Sequence, residues 1–171
     1  PGMDFKQFLK GLQAIVGERN VVYHSDDLLV FEYDGSVDRA MPDAVVFPSS
    51  AHEVSQIIKL SRRAGVPVVG RGTGTGLSGG AITAPGGIQV AFPRMNHILE
   101  VDTENRLALV EPGVINLDLD THVRKFGLRY APDPSSQKAC SLGGNIAENA
   151  GGPHCLAYGT TTNHEIGRAH V

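Results

Sequence analysis

The first element that the sequence predicts is an amphipathic helix. Within residues 3–16, apolar side chains recur at intervals of three and four, and lysine and glutamine residues lie on the opposite side. This spacing is typical of a helix with one buried face. Gly17 follows directly, where a glycine commonly ends a helix. Residues 18–43 are turn-rich and show no comparable period, so we assign this segment no role.

A strand, a helix and a second strand are predicted next. Residues 44–47 and 66–69 are short apolar runs suited to buried strands, and apolar residues recur at helical spacing between them. Ser50 and Glu53 match a capping box at the start of this helix, and Gly65 follows its last turn. The two strands of such a unit are expected to be parallel, with a right-handed crossover.

The rest of the chain alternates in the same way. Residues 88–92 and 107–111 are predicted strands with a turn at 102–105 between them. A second helix is expected from residue 116 to residue 126, with Asn116 as its cap, followed by a short strand at 128–130. Residues 131–163 are loop-rich. The succession predicts an α+β architecture with repeated βα elements.

Composition and charge exclude several classes of protein. The 171 residues suffice for one ordinary domain, and 41% of them are apolar, as in soluble globular proteins. A formal net charge of -3 gives no support to a polyanion-binding surface, so no nucleic-acid partner is expected. No apolar stretch approaches the roughly 18 residues that a membrane-spanning helix needs. Cys140 and Cys155 form no CxxC pair, so we expect a reducing, cytoplasmic location and no metal site.

Glycines are concentrated in residues 70–80 (GRGTGTGLSGG), directly after the second predicted strand of the βαβ unit. Such a loop can adopt positive φ repeatedly and bring bare main-chain N–H groups against an anion. The hydroxyls of Thr73, Thr75 and Ser78 add donors, and Arg71 adds a cation. This chemistry suits a pyrophosphate.

The glycine-rich loop has other interpretations. A flexible surface loop is one. A Rossmann fingerprint is present as Gly74-x-Gly76-x-x-Gly79, but residues 80–87 (GAITAPGG) cannot form the helix that this motif must open. A Walker loop is excluded because no Gly-Lys-Ser/Thr occurs. The remaining interpretation is a dinucleotide diphosphate bound by a loop that is not of the Rossmann type.

A second cluster of small residues extends from residue 132 to residue 154 (PDPSSQKACSLGGNIAENAGGPH). One interpretation is a helix packed closely against a sheet, which suits Ile146 and Ala147. The other is a binding surface for a flat heteroaromatic ring, with small residues along its face and amides such as Asn145 and Asn149 at its edge. Two such segments suit a long ligand with two ends.

Three segments carry a resemblance to a known family: residues 70–81 (GRGTGTGLSGGA), 110–113 (VEPG) and 131–159 (APDPSSQKACSLGGNIAENAGGPHCLAYG). They resemble the flavin-binding domain of FAD-linked 2-hydroxyacid dehydrogenases and oxidases, most of all the FAD-linked subunits of glycolate oxidases. The resemblance covers about residues 20–164. It implies the p-cresol-methylhydroxylase type (vanillyl-alcohol-oxidase-like) FAD-binding fold, in which two α/β subdomains clasp FAD.

The resemblance also implies the residues that bind FAD. The loop would bind the diphosphate, and small or polar residues of the later segment would line the rest of the cofactor site. The implied set is Arg71, Gly72, Thr73, Gly74, Thr75, Gly76, Leu77, Ser78, Gly79, Gly80, Pro134, Ser135, Ser141, Gly143, Gly144, Asn145, Asn149 and Gly151. Relatives that attach flavin covalently often use a histidine in the first loop. This loop has none, so we expect non-covalent FAD.

The activity that the resemblance implies is oxidation of a small 2-hydroxy acid, of the glycolate or D-lactate type, to the 2-oxo acid. The substrate gives a hydride to FAD, and an electron acceptor or partner subunit reoxidises the cofactor. The base and the metal ligands of related enzymes lie in a C-terminal cap domain, so no catalytic residue of this chain is assigned. For His154 we expect a structural hydrogen bond. The alternative from another class is a non-catalytic nucleotide- or anion-binding module.

The predicted domain plan has three parts. Residues 1–43 form an N-terminal helix and turn-rich segment, and residues 44–164 form an FAD-binding domain truncated at its C-terminus. Residues 165–171 (EIGRAHV) depart from the family pattern and match the translation of a common sequencing adapter, so we expect a non-native tail. The complete protein is expected to be peripheral to the membrane only through a partner complex.

Overall fold

Helix α1 (Phe5–Val16) is capped at its N-terminus by Asp4, whose carboxylate accepts a hydrogen bond from the Lys6 N–H at 3.3 Å, and at its C-terminus by Gly17, with φ 87°. The computed structural model describes residues 3–168, in two compact units that divide after Arg94. The first unit contains α1 (Phe5–Val16), β1 (Val21–Val22), α2 (Ser25–Leu28), β2 (Ala44–Val46), α3 (Ala51–Ala64), β3 (Val68–Arg71) and β4 (Ile88–Ala91). The second contains β5 (Ile98–Asp102), β6 (Leu107–Val110), α4 (Asn116–Arg124), α5 (Leu142–Ala147) and α6 (Cys155–Tyr158).

The first unit has a four-stranded sheet in the order β1-β2-β4-β3. Strands β2 and β3 are both parallel to β4, which lies between them, and β1 is antiparallel to β2. The predicted parallel relation is therefore confirmed. The strand predicted at 66–69 begins two residues later and extends to Arg71, because it pairs with β4 from Val68 onward.

The helix predicted between Ser50 and Gly65 is confirmed as α3, and its N-terminus differs in one detail. The Ser50 hydroxyl accepts the Glu53 N–H at 3.2 Å, as expected. The Glu53 carboxylate instead accepts the N–H of Ser49, at 2.6 Å, one residue before the cap. The capping box is thus only half of the predicted one. Gly65 ends the helix in the left-handed region, with φ 69°.

Helices α1 and α3 supply the apolar side chains that cover this sheet. Phe8 and Leu12 of α1, Ile57 of α3 and Ile88 of β4 are fully buried in one cluster. Burial of such side chains is the main source of stability in a domain of this size. Helix α1 thus shares a hydrophobic core with the sheet. The predicted domain boundary at residue 43 stays a prediction.

In the second unit, β5 and β6 form an antiparallel hairpin. Strand β5 was not predicted; the strand predicted at 107–111 is present as β6, and the one at 88–92 as β4. The expected turn follows β5, where the Asp102 carboxylate accepts from the N–H of Asn105 at 2.9 Å and from its side-chain amide at 2.7 Å.

Three predictions around α4 are wrong. The cap of α4 is Ile115, and Asn116 is the first helical residue, with its side-chain amide donating to the Pro132 carbonyl at 3.1 Å. The helix ends at Arg124 rather than at residue 126. Residues 128–130 form no strand, because the Tyr130 N–H is bonded to the Asp120 carboxylate at 3.0 Å and not to a neighbouring strand.

Among residues 3–168, the helices are all too short or too polar to cross a bilayer. Of the predicted tail, residues 165–168 are described, with Arg168 donating to the Glu165 carboxylate, and residues 169–171 lie outside the described residues. The non-native origin of this tail stays a prediction.

Candidate functional site

The glycine-rich loop starts where β3 ends. Arg71 is the last residue of the strand, and residues 72–80 contain bends and a turn but no regular element. Gly74 (φ 72°) and Gly79 (φ 74°) lie in the left-handed region, which favours glycine. Thr73, Leu77 and Ser78 are exposed. The loop therefore presents bare backbone and hydroxyl groups at the carboxyl end of a parallel strand, a common position for ligands in open sheets. Strand β3 lies at the edge of the sheet and is partly exposed, so the prediction that it is a buried strand is wrong.

The segment that the sequence left without a role supports this loop. The Gly35 N–H donates to the Gly76 carbonyl at 2.8 Å. A Cβ at Gly35 would lie 2.8 Å from that oxygen and 2.9 Å from the Leu77 side chain, so only glycine fits there. Farther along the loop, Gly79 lies against the side chains of Asp38 and Ser36. The local sequence offered one weak signal for these contacts, which is a glycine, Gly35, within the turn-rich segment.

Arg71 lies beneath the loop and is only 6% exposed. Its Nη2 donates to the Tyr33 carbonyl at 2.9 Å and its Nη1 to the Phe31 carbonyl at 3.4 Å. The guanidinium also lies 5.5 Å from the centre of the Phe31 ring, which is within cation–π range. Burial lowers the pKa of Arg71, and the nearby Asp34 carboxylate opposes that change. A direct contact of Arg71 with a cofactor stays a prediction.

Asp34 is the buried acid of this region. Burial raises the pKa of its carboxyl, but hydrogen bonds from Ser36, one from the Ala81 main chain and the charge of Arg71 outweigh that effect. The net result is a pKa below the usual aspartate value. Asp34 is therefore ionised at neutral pH, and its charge is of opposite sign to that of the guanidinium nearby.

In the second unit, the small-residue segment contains a short helix, as the first interpretation of the sequence expected, but Ala147, which that interpretation packed against a sheet, is exposed. The Ser141 hydroxyl accepts the Gly144 N–H at 3.3 Å and caps α5. The Gly143 N–H donates to the Pro112 carbonyl at 2.8 Å. Ser141 is buried, whereas Ser135 is exposed in the preceding turn and Pro134 is buried beside it. The contact of these residues with a cofactor stays a prediction.

Asn145 carries an unpaired polar group. The residue is 3% exposed, and its Nδ2 has no hydrogen-bond partner among the described residues. A buried donor without a partner is costly, so a ligand with an acceptor would gain from reaching it. Asn149, by contrast, has φ 50° and accepts the Thr162 N–H at 2.9 Å. A Cβ at Gly151 would lie 2.7 Å from Sγ of Cys155.

His154 forms the structural hydrogen bond that was expected. Its ring Nδ1 is hydrogen-bonded to the Asp133 carboxylate, and its main-chain N–H donates to the same carboxylate at 3.3 Å. The hydrogen bond from the His154 side chain holds the pKa of Asp133 below the usual aspartate value. Among residues 3–168, no cluster of three histidine, cysteine or acidic residues has the geometry to bind a metal ion.

Comparison with known families assigns this chain. The model of the FAD binding domain family matches residues 42–167. The chain belongs to this family. FAD is therefore its cofactor, and the match covers both the glycine-rich loop and the small-residue segment.

Relatives of this FAD-binding domain are an oxidase subunit and a dehydrogenase by name. Glycolate oxidase subunit GlcD of Escherichia coli K12 is 43% identical over 164 residues, which is 95% of this chain and 33% of the relative. D-lactate dehydrogenase of Anaerostipes hadrus is 34% identical over 160 residues, 94% of this chain and 32% of the relative. The chain thus spans about a third of the length of these relatives. The predicted resemblance is confirmed.

Solved structures establish the fold. An alkyldihydroxyacetonephosphate synthase matches with a TM-score of 0.83 at 22% identity, covering 94% of this chain and 32% of the other. A p-cresol methylhydroxylase matches with a TM-score of 0.77 at 24% identity, covering 85% of this chain and 30% of the other. The predicted p-cresol-methylhydroxylase type of FAD-binding fold is thereby confirmed.

The residues of the chain fit FAD. Bare backbone with left-handed glycines follows β3, which suits a diphosphate. The buried, unpaired Nδ2 of Asn145 is a donor that suits a carbonyl oxygen or a ring nitrogen of the cofactor.

Proposed function

We propose that this chain is the FAD-binding part of an oxidoreductase that oxidises a small 2-hydroxy acid, of the glycolate or D-lactate type, to the corresponding 2-oxo acid. The observation that carries the proposal is the 43% identity to a glycolate oxidase subunit over 95% of the chain. Bound FAD would supply the hydride acceptor. The name of a second relative, a D-lactate dehydrogenase, supports the same class of substrate.

The residues of the chain divide this task. Main-chain N–H groups of residues 72–80 bind the diphosphate, because successive amides in such a loop form an anion-binding concavity. Pro134, Ser135, Ser141, Asn145 and the small residues near them bind the rest of FAD. The absence of histidine from residues 70–80 supports non-covalent attachment.

The substrate and the electron acceptor would be bound by the complete protein. The chain covers about a third of its relatives, and no residue of it is assigned as the catalytic base. The word "subunit" in the name of the first relative supports an electron-transfer partner subunit, through which a cytoplasmic protein would reach a membrane.

The test is titration of the purified chain with FAD, followed by flavin fluorescence and gel filtration. We expect one FAD per chain to co-elute and to be released by acid, as non-covalent binding requires. ADP is the matched probe for the alternative, a general nucleotide-binding module. If ADP binds at least as tightly as FAD, the flavin ring contributes nothing to binding, that alternative is correct and the proposal is wrong.

The substrate class needs the complete protein. Assays of the full-length protein with glycolate, D-lactate and D-2-hydroxyglutarate, using an artificial electron acceptor, should show reduction of bound flavin by at least one of them. A full-length protein that binds FAD and is reduced by none of these acids would refute the proposed substrate class and leave the cofactor assignment intact.

A further inference from the structure

A guanidinium lies directly beneath the middle of the glycine-rich loop. Resting on the proposed function, we propose that Arg71 is a positioning residue that fixes the loop before FAD binds, and that it makes no contact with the diphosphate. It acts through the main chain of residues 31–35, which lie within the turn-rich segment 18–43. The proposal stands on the burial and the hydrogen-bond partners of this side chain.

The partners of Arg71 come from distant sequence. The planar fork of the guanidinium spans two carbonyls, those of Phe31 and Tyr33, which lie 40 and 38 positions earlier in the chain. The Phe31 ring, 5.5 Å away, covers one face of it. A lysine has a single ammonium and no planar face, so it cannot reproduce this arrangement.

The loop rests on this cation. A Cβ at Gly74 would collide with Nη2 of Arg71, so the guanidinium occupies the space into which a side chain at that position would point. One step farther, the Gly35 N–H is bonded to the Gly76 carbonyl at 2.8 Å. Residues 31–35 therefore contact the loop twice, once through Arg71 and once directly.

The charge of Arg71 is balanced within the same unit. Asp34 is 7% exposed, and its carboxylate lies close enough to Arg71 for each to shift the pKa of the other toward the charged form. The guanidinium therefore donates to two carbonyls and has a carboxylate of opposite charge nearby. A loop already ordered in this way loses less conformational entropy when it binds its ligand, which favours affinity.

The experiment compares four variants of the chain. Arg71→Met removes the fork and the charge, and Arg71→Lys keeps only the charge. Gly35→Ala leaves every charge in place but puts a Cβ 2.8 Å from the Gly76 carbonyl oxygen. Arg94→Met is the matched control, since Arg94 also donates to a main-chain carbonyl of this unit, that of Phe47 at 2.7 Å, but is exposed.

Two quantities are measured for each variant. Hydrogen exchange of amides 72–80, followed by mass spectrometry without FAD, reports the order of the loop. Fluorescence titration gives the dissociation constant for FAD. We expect Arg71→Met, Arg71→Lys and Gly35→Ala each to accelerate exchange by about tenfold and to weaken FAD binding by a similar factor, with Arg94→Met unchanged in both.

Other outcomes overturn the proposal. If Arg71→Met weakens FAD binding while loop exchange stays at the wild-type rate, Arg71 is a direct ligand of the diphosphate. If Arg71→Lys restores both quantities, charge alone matters. If Arg71→Met fails to fold by circular dichroism, Gly35→Ala decides, and unchanged exchange in that variant refutes the proposal. A wild-type chain that binds no FAD refutes the proposed function instead, whereas the exchange rates still decide whether Arg71 orders the loop.

Discussion

Gly143 donates its main-chain N–H to the Pro112 carbonyl at 2.8 Å, and a Cβ at Gly143 would lie 2.7 Å from the Cβ of Pro112. Helix α5 thus begins in direct contact with the turn that follows β6. This packing requires glycine before any cofactor is considered. Gly143 was predicted from family resemblance as a cofactor contact, and the structure gives it a structural requirement as well.

We expect Gly143→Ala to lower the free energy of unfolding of the FAD-free chain by about 1–3 kcal/mol, because the new methyl group overpacks against Pro112. Urea denaturation measures this. Gly144→Ala is the matched control. A Cβ at Gly144 would lie 3.2 Å from its nearest neighbour, the Ser141 hydroxyl, so the loss of stability should be smaller. Equal midpoints for Gly143→Ala and the wild type would show that the contact with Pro112 does not constrain this position.

Gly74→Val should abolish FAD retention. The substitution places a β-branched residue at φ 72° and into the Arg71 guanidinium. Gly65→Val is the matched control, because Gly65 has φ 69° but open space around it. Both variants carry left-handed strain of about 1–2 kcal/mol, and only Gly74→Val should lose FAD on gel filtration. Stoichiometric FAD in Gly74→Val would mean that the loop is not the diphosphate site.

Asn145→Leu should have opposite effects on stability and on binding. Its Nδ2 is buried without a partner, so an apolar side chain of similar size should raise the free energy of unfolding of the FAD-free chain by about 1 kcal/mol. FAD binding should weaken by about tenfold, which corresponds to one lost hydrogen bond of about 1.4 kcal/mol. Thermal melts and fluorescence titration measure the two effects.

Asn116→Leu is the matched control for that prediction. The Asn116 amide is also buried but donates to the Pro132 carbonyl at 3.1 Å, so leucine there leaves a carbonyl unpaired and should destabilise the chain by about 1–3 kcal/mol. If both leucine variants lose stability alike, the Asn145 amide is satisfied in solution and the argument for a ligand contact fails.

The carboxylate of Asp133 should titrate below the usual aspartate range because of its hydrogen bond from the His154 side chain. Since its pKa is lowered on folding, the stability that it contributes is complete above the ordinary pKa of about 3.9 and is lost as the pH falls toward the folded value. Carboxyl-carbon NMR of the Asp133 resonance measures the midpoint.

His154→Gln should raise that midpoint toward the ordinary value. His164→Gln is the matched control, because the His164 ring contacts the Tyr158 carbonyl and not Asp133. An unchanged midpoint in His154→Gln would show that the histidine does not stabilise the carboxylate.

Local signals in the sequence were reliable where one element satisfied its own ends. Ser50 and Gly65 mark the two ends of α3, as predicted, because cap residues act within one turn of the helix. Strand β5 was not predicted, because residues 98–102 form a strand by pairing with β6, and such pairing leaves no pattern within the segment itself. Asn116 was wrongly predicted as a cap because its amide is bonded to Pro132, 16 positions away, which no local pattern indicates.

The sequence by itself determined the family, the cofactor and the two segments that carry the binding chemistry, because glycine spacing and small-residue runs are local properties of the chain. Only the tertiary structure decided that Phe31, Tyr33 and Gly35 support the loop and that Arg71 is buried beneath it. Every residue has a main-chain carbonyl, so the side chains of a sequence do not indicate which carbonyls will accept a hydrogen bond from a guanidinium. The pairing becomes visible only when the fold brings residues about 40 positions apart into contact.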